Sequence, residues 1–554
     1  MPAEACIIDG YVDEPACLGV PPSLSPYVRT CAGVLAEHGY TVAYRTIDQL
    51  RCDPSLLGPL KAAGLVLVIA GATVPGKYLG GTPATLTELR QLGLAIRGEM
   101  TLLAGPIGFG YAAGGGSKAE KEVFSGYSHL LPGSPAEALD EMLDGRTPAG
   151  ALDYSREDQW SVAGAGIIAQ HPDFPHIICE LETARGCPRS MTGGCSFCTE
   201  PLYGPPVYRS VDGVAAEVEA LAASGARHFR LGRQPDLLSY GAADREFPEP
   251  RPDLLLDLFA RVREAAPDLR TLHIDNVNPG TIARHPDASR EALGIIIKFH
   301  TPGDVAAFGM ETADPVVIGA NNLKATPDEV MEAIRIVNEV GAARQEGIPG
   351  LLPGLNFVCG LDGETADTYR KNEEFLAAVL ESDLLVRRVN IRQLMPFPGT
   401  WAYDHNTLGK FDARFRQFKE FARTRFDHPM LARVFPVGTV LRDVVIEQPG
   451  NLSFGRQLGS YPILVGIPLN LSRKTVLDAV IVDHGSRSVT ALPCPVEINR
   501  LPVQALRWIP GIGKKRAGLV AAKRPFRDLE SLRAVTGTTP IDGKIMFETR
   551  GFPA

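Results

Sequence analysis

Three cysteines in one short stretch restrict this chain more than anything else in it: Cys187, then Cys195 and Cys198 as Cys-Ser-Phe-Cys. Two thiolates at Cys-x-x-Cys spacing, with a third just upstream, can hold three corners of a 4Fe–4S cluster and leave the fourth iron open. The competing readings are a zinc site and buried thiols with no metal. A closed structural zinc site needs a fourth ligand, and His171 and His176 lie upstream, away from a finger-like spacing. The iron–sulfur reading is therefore preferred. Seven residues, Pro188 to Gly194, separate the first two cysteines. Gly193-Gly194 can supply the turns that let such a loop bulge outward.

Whatever carries this loop is a large globular chain. Its 554 residues allow about three or four domains. With 45% hydrophobic and 22% charged residues and a net charge of −8, it shows no overall basic footprint. No apolar run approaches a membrane span, and Met1 to Cys6 does not read as a basic signal peptide. The ten cysteines are scattered outside the cluster, which suits a reducing compartment. A cytoplasmic protein with no membrane partner is expected.

Residues 1–150 read as a Rossmann-like or flavodoxin-like α/β domain. Cys6 to Asp9, Thr41 to Tyr44, Leu65 to Gly71 and Met100 to Pro106 are apolar strand candidates, the second and third expected to be buried. A helix is predicted from Tyr27 towards Gly39 behind Ser25-Pro26. Glycine runs at 108–110 and 114–116 read as turns rather than phosphate loops. Residues 160–425 repeat strand and helix, with strands expected at Ile177–Leu181, Arg227–Leu231, Thr271–Ile274, Ala306–Met310, Leu355–Gly360 and Val389–Leu394. Helices are expected at Val211–Gly225 and Pro327–Gly341. That alternation predicts a partial TIM barrel with its site at the C-terminal strand ends. Residues 434–497 read as a small β-barrel, and 498–554 as short helices around Pro510-Gly511-Ile512-Gly513-Lys514-Lys515.

In combination these segments resemble the radical S-adenosylmethionine superfamily. The resemblance rests on Glu182-Thr183-Ala184-Arg185-Gly186-Cys187-Pro188, on the cysteine loop and on Phe197 before its last thiol. Gly309-Met310-Glu311-Thr312 is similar to the family's Gly-x-Glu-Ser, and Gly360 to Thr365 to its Gly-x-Pro-Gly-Glu-Thr, with Asp362 in place of proline. Pro396 to Thr400 is similar to the Pro-x-Pro-Gly-Thr that closes the core. Leu231-Gly232-Arg233-Gln234 with Ser239-Tyr240-Gly241 resembles a stretch of the tRNA methylthiotransferases, with Arg233 inserted. The seven-residue gap departs from the family, whose first two cysteines are three residues apart. The resemblance implies a 4Fe–4S cluster on Cys187, Cys195 and Cys198, and S-adenosylmethionine bound near Gln234, Glu311, Gly360 and Gly363. It implies an electron from a ferredoxin or flavodoxin, reductive cleavage of the cofactor, and hydrogen abstraction by the 5′-deoxyadenosyl radical. No side chain is assigned as a catalytic acid or base.

Many cores of this family follow a cobalamin-binding domain, whose base-off form carries Asp-x-His-x-x-Gly. Here the stretch is Asp9 to Glu14, without histidine, so only cobalamin held without that ligand stays open. Methylthiotransferases need a second, three-cysteine cluster. Cys6, Cys17, Cys31 and Cys52 are available, but Ala70 to Thr73 and Gly105 to Ile107 lack the expected cysteines, and Cys6 and Cys31 lie in apolar patterns. Sulfur insertion is therefore disfavoured.

The substrate is addressed by the C-terminal end. Pro510 to Arg516 resembles a helix-hairpin-helix motif, with Gly511, Gly513, Lys514 and Lys515 as candidate nucleic-acid contacts. From Arg500 to Ala554, eleven Lys/Arg face four Asp/Glu, so the tail carries +7 and the remainder −15. The 434–497 barrel weakly resembles the TRAM domain that follows methylthiotransferase cores. A radical enzyme modifying RNA is the first expectation, with tRNA favoured and DNA open. The alternative acts on a small molecule or protein, its tail binding only DNA or a partner.

Overall fold

The computed structural model describes residues 4–14, 17–71, 80–96, 100–112, 114–122, 124–242 and 245–547. Ala72 and Thr73, where a second-cluster cysteine is missing from the sequence, lie outside them, as do the last residues from Glu548.

The N-terminal sheet contains β1 (Glu4–Asp9), β2 (Thr41–Thr46), β3 (Leu65–Ile69), β4 (Met100–Ala104) and β5 (His129–Leu130). All neighbours are parallel, in the order β2-β1-β3-β4-β5. This is the flavodoxin-like winding. β3 is buried throughout, as a near-continuous apolar run covered on both faces must be. β2 is the edge strand, so only Tyr44 and Thr46 are buried in it, fewer than its apolar run suggests. Helix α1 (Pro26–Glu37) packs closely on α2 (Tyr154–Ala163): a Cβ on Gly33 would stand 2.0 Å from the Trp160 carbonyl oxygen.

The central region has six parallel strands in chain order: β6 (Ile178–Glu182), β7 (His228–Gly232), β8 (Thr271–Ile274), β9 (Asp304–Glu311), β10 (Leu351–Cys359) and β11 (Arg388–Gln393). β8 and β9 are joined by two backbone bonds, Ala307 N–H to Asp275 O (2.9 Å) and Val277 N–H to Ala307 O (3.1 Å). Helices α3 (Val211–Ala223), α4 (Pro252–Ala265), α5 (Pro286–Phe299), α6 (Pro327–Gly341) and α7 (Ala366–Glu381) run between the strands. The barrel is incomplete. β11 is its open edge, and on the other side the two-residue strand Ser23–Leu24 of the N-terminal region pairs with β6.

Next comes a closed five-stranded barrel of β12 (Val440–Gln448), β13 (Ser453–Arg456), β14 (Leu464–Ile467), β15 (Val476–His484) and β16 (Ser488–Pro493). It closes in the order β12-β13-β14-β16-β15, with β14 and β16 parallel. Its β13–β14 loop docks on the central strands: Ser460 donates from its amide to His273 Nδ1 (2.8 Å) and from its hydroxyl to the Ile274 carbonyl (2.7 Å). The chain ends in α8 (Lys514–Ala522) and α9 (Leu529–Thr536).

Candidate active site

β6 delivers the cysteine loop. After Glu182 the chain makes a two-residue strand, Ala184–Arg185, paired with Val207–Tyr208. It then turns at Gly186, whose φ of 91° suits glycine and whose amide donates to Glu200 Oε1 at 3.0 Å. The seven-residue gap is a 3₁₀ helix, Pro188–Thr192, closed by Gly193 and Gly194 with φ of 86° and 67°. The loop thus bulges on its glycines, as the sequence suggests.

Arg189 pins this bulge. Its guanidinium donates to Cys195 Sγ (3.2 Å), Glu246 Oε1 (3.0 Å) and Asn322 Oδ1 (3.0 Å). Asn322 returns bonds from Nδ2 to the carbonyls of Thr192 and Gly194, and Ser196 bonds Asn321 Oδ1 at 2.7 Å. A second anchor is Arg233, fully buried. It pairs both oxygens of Glu200 at 2.9 Å, approaches Glu14 at 3.2 Å, and stacks over Tyr203 at 4.9 Å. The inserted arginine therefore ties the N-terminal domain to the cysteine loop.

Cys195 and Cys198 line a cavity of about 370 Å³, and Cys187 lies close enough to both to interact with them electrostatically. Burial pushes the Cys187 thiol up to about 12 and holds Cys195 and Cys198 above their ordinary values; neighbouring thiolates add to the shift at Cys187 and Cys198, while Arg189 and Lys324 pull Cys195 back. Bare thiolates would be costly here; a bound cation reverses that balance by taking thiolate ligands outright. Arg189 and Lys324 face the thiols and offset the negative charge of a ligated cluster. This donor set fits an iron–sulfur cluster.

Opposite the thiols, β9 ends in a bulge between Gly309 and Glu311, and Glu311 has φ of 58°. A left-handed non-glycine residue at a strand end stores strain to aim a side chain. Glu311 points into the cavity beside Lys324. Burial pushes its carboxyl up to about 7, with Lys324 and Arg392 pulling it back. A Cβ on Gly309 would stand 2.2 Å from Glu311 Oε1 and 2.4 Å from Lys324 Nζ, so a side chain there would push these two flexible ends from their places.

The other expected cofactor contacts are placed differently. Gln234 is buried next to Pro235 of the lining in sequence; its Nε2 donates to the Leu231 carbonyl at 3.0 Å, and its Oε1 has no partner among the described residues. Gly360 and Gly363 have φ of 105° and 79° but are not in the cavity lining. A Cβ on Gly360 would meet Leu408 at 2.9 Å, and the turn is closed by Glu364 Oε1 accepting the amides of Gly360 (2.8 Å) and Leu361 (3.1 Å). Leu361 and Leu394 form the apolar backing of Cys195 and Phe197. The motif shapes the floor behind the cysteines.

Across the cavity stand residues of the N-terminal region, among them Glu14, Cys17 and Phe109. After β1, Asp9 accepts from the Tyr11 amide and the Tyr44 hydroxyl, each at 2.9 Å, and burial pushes its carboxyl up to about 7. That turn thus offers no imidazole to a cobalamin. Cys6 and Cys31 are buried in separate apolar clusters on opposite faces of the sheet, and Cys52 is exposed. They do not assemble a second three-thiol set.

The signals missed in sequence are long-range. Arg189 lies 57 residues from Glu246 and 133 from Asn322, and Arg233 lies 33 from Glu200. Of these, only the inserted position of Arg233 stood out locally.

Comparison with known proteins agrees with this geometry. The family described as the radical SAM superfamily matches residues 181–376. An uncharacterized protein of Archaeoglobus fulgidus is 42% identical over 540 residues, 96% of this chain and 98% of that one. An uncharacterized protein of Methanocaldococcus jannaschii is 41% identical over 88% of this chain and 93% of its own length. The ribosomal protein uS12 methylthiotransferase RimO of Elusimicrobium minutum is 25% identical over 37% of this chain and 44% of that one. Among solved structures, the radical S-adenosylmethionine methyltransferase TsrM of Kitasatospora setae superposes with a TM-score of 0.51 at 17% identity, covering 72% of this chain and 74% of that one. Among the described residues no helix is long and apolar enough to cross a membrane.

Proposed function

This chain belongs to the radical S-adenosylmethionine superfamily, and we propose that it is a radical enzyme that modifies a nucleic acid, tRNA in the first instance, at an unreactive C–H bond and without inserting sulfur. Cys187, Cys195 and Cys198 would hold the cluster, and Glu311 with Lys324 would position the cofactor in the adjoining cavity. When bound, cluster and S-adenosylmethionine supply the reductive cleavage that generates a 5′-deoxyadenosyl radical. The chain's own residues do the rest. Arg189 and the Asn321-Asn322 turn fix the thiol loop, Gly309 leaves room for Glu311 and Lys324, and Phe197 with the N-terminal wall limits water. A ferredoxin or flavodoxin is the expected electron donor. The scattered N-terminal cysteines argue against sulfur insertion.

The observation that carries the nucleic-acid reading is the exposed basic start of α8. Gly513 caps it with φ −79° and ψ 179°, and a Cβ there would meet nothing within 4 Å. Glycine is an ordinary N-cap residue, and here it leaves the first amides of the helix uncovered. Exposed Lys514, Lys515 and Arg516 follow, at a helix start whose amides point outward. A phosphate backbone is the partner such a surface suits.

The test is salt-dependent tRNA binding by the full chain. Lys514→Ala with Lys515→Ala should weaken binding about five- to tenfold and flatten the log–log salt slope by about two. Unchanged affinity and slope count against the reading. Nucleoside mass spectrometry of RNA from a strain lacking the gene should show one modification lost; an unaltered profile would overturn it.

A further inference from the structure

A second cavity of about 320 Å³ opens where β11 meets the five-stranded barrel, and it shares Arg388, Arg456, Tyr461 and Pro462 with the active-site cavity. Because β11 is the open edge of the central barrel, this cavity is its lateral doorway. Cations crowd it. Arg387 and Arg388 stand at the start of β11, and Arg487 comes from the β15–β16 loop. Acidic compensation is thin. Asp427 lies 3.3 Å from Arg487, while Glu447 is occupied by two nitrogens of Arg456. Burial pushes the Asp427 carboxyl up to about 6, with Arg487 and Arg388 pulling it back.

Among the described residues Arg387 and Arg388 form no ion pair, and the Nε of each is buried without a hydrogen-bond partner. Arg387 reaches the Tyr461 carbonyl at 3.0 Å and lies over Phe435 at 4.7 Å; Arg388 lies over Tyr461 at 5.3 Å. Burial first, and then neighbouring arginines, push Arg387 down to about 9 and Arg388 to about 10. Adjacent guanidinia half-withdrawn from water, with only the shared Asp427 carboxylate near Arg388, are costly to keep. They are accounted for if an anion completes them.

We propose that this doorway is a phosphoryl-binding site, in which Arg387, Arg388 and Arg487 hold a phosphate group of the substrate while the rest of the molecule reaches through the adjoining cavity to the cysteine end. Three guanidinia against one carboxylate match a dianion, and their planar forks suit tetrahedral phosphate oxygens. The reach restricts the substrate further. Arg388 to Gln393 spans one strand, about 16 Å, and Leu394 beyond it packs in the cluster that backs Cys195 and Phe197. The substrate is an elongated phosphorylated molecule, whether an RNA strand or a free phosphorylated compound. This inference does not depend on what the tail binds.

Pyrophosphate is the probe, titrated calorimetrically into the anaerobic full chain carrying its cluster. Native protein should bind it, and Arg387→Gln with Arg388→Gln should weaken binding at least tenfold. Melting temperature should hold or rise, because uncompensated charge is removed. Should the double variant fail to fold, Arg388→Lys serves: it keeps the charge but loses the fork, and should bind several-fold more weakly. Displacement of pyrophosphate by a short oligoribonucleotide identifies RNA as the phosphate source; displacement only by phosphorylated sugars or nucleosides identifies a small substrate. Absent pyrophosphate binding, unchanged affinity in the variants, or equal affinity for tricarballylate would overturn the phosphoryl assignment. Tail variants at Lys514 and Lys515 should leave pyrophosphate binding untouched, so the two readings fail separately.

Discussion

The cavity mouth and the C-terminal tail both turn on glycine, for opposite reasons. At the mouth the molecule itself demands it. Gly194 is left-handed and a Cβ would strike the Pro201 ring at 2.4 Å, while a Cβ on Gly309 would collide with Glu311 and Lys324. In the tail, Gly511 needs its φ of 82°, but Gly513 needs neither its conformation nor its space. The first set is fixed from within the fold, whereas Gly513 is free to change. Other open glycines, such as Gly294 and Gly319, share that freedom, so Gly513 gains meaning only from the exposed Lys514, Lys515 and Arg516 that follow it.

The contrast breaks most sharply at the thiols. Cys198→Ala should abolish 5′-deoxyadenosine formation and bleach the visible absorption of the reconstituted protein, while tRNA binding through the tail persists. Retained cofactor cleavage would refute the ligand assignment. Gly309→Ala is the milder test of the mouth. The added methyl must displace Glu311 or Lys324, and overpacking of this kind costs about 1–3 kcal/mol. An ångström of misplacement at a reacting site can cost about 100-fold in rate. Cofactor cleavage should therefore fall about 10- to 100-fold with the cluster spectrum intact. An unaltered rate would remove Glu311 and Lys324 from the cofactor site.

Much of the fold could be read locally. Helix α6 spans Pro327–Gly341 as expected, its start held by a Thr326–Glu329 capping box, and the central strands fall within a few residues of their apolar runs. β9 begins earlier than expected because Asp304 and Val305 extend it, the carboxylate being satisfied by the Ile274 amide and His300. Ladder length depends on partners far away in sequence, which local composition does not report. The site was legible where the chain is contiguous, at Cys187, Cys195, Cys198 and Glu311. It was not legible where tertiary contacts decide. Gly360, matched to a cofactor motif, also has a φ of 105° and stands against Leu408 and Leu394, constraints that the sequence does not display. The buried clamp of Arg189 joins the cysteine loop to Glu246 and Asn322 of the central region, and that of Arg233 joins Glu200 to Glu14 of the N-terminal region.

The smallest expected effect is also the cleanest discriminator. Serine is a better N-cap than glycine, and its hydroxyl can accept an amide bond from the first turn of α8. Gly513→Ser should therefore leave thermal stability unchanged or raise it by a few tenths of a kcal/mol. Cofactor cleavage at the distant mouth should not move. What changes is the surface: a side chain now stands where a phosphate would approach the amides of Lys514 and Lys515. Affinity for tRNA should fall a few-fold with the salt slope retained, because no cation is lost. This separates the glycine from the lysines, whose removal changes the slope itself. If Gly513→Ser binds tRNA as tightly as the native chain, close backbone approach is not how this helix is used, and the tail's charge is left as its sole claim on nucleic acid.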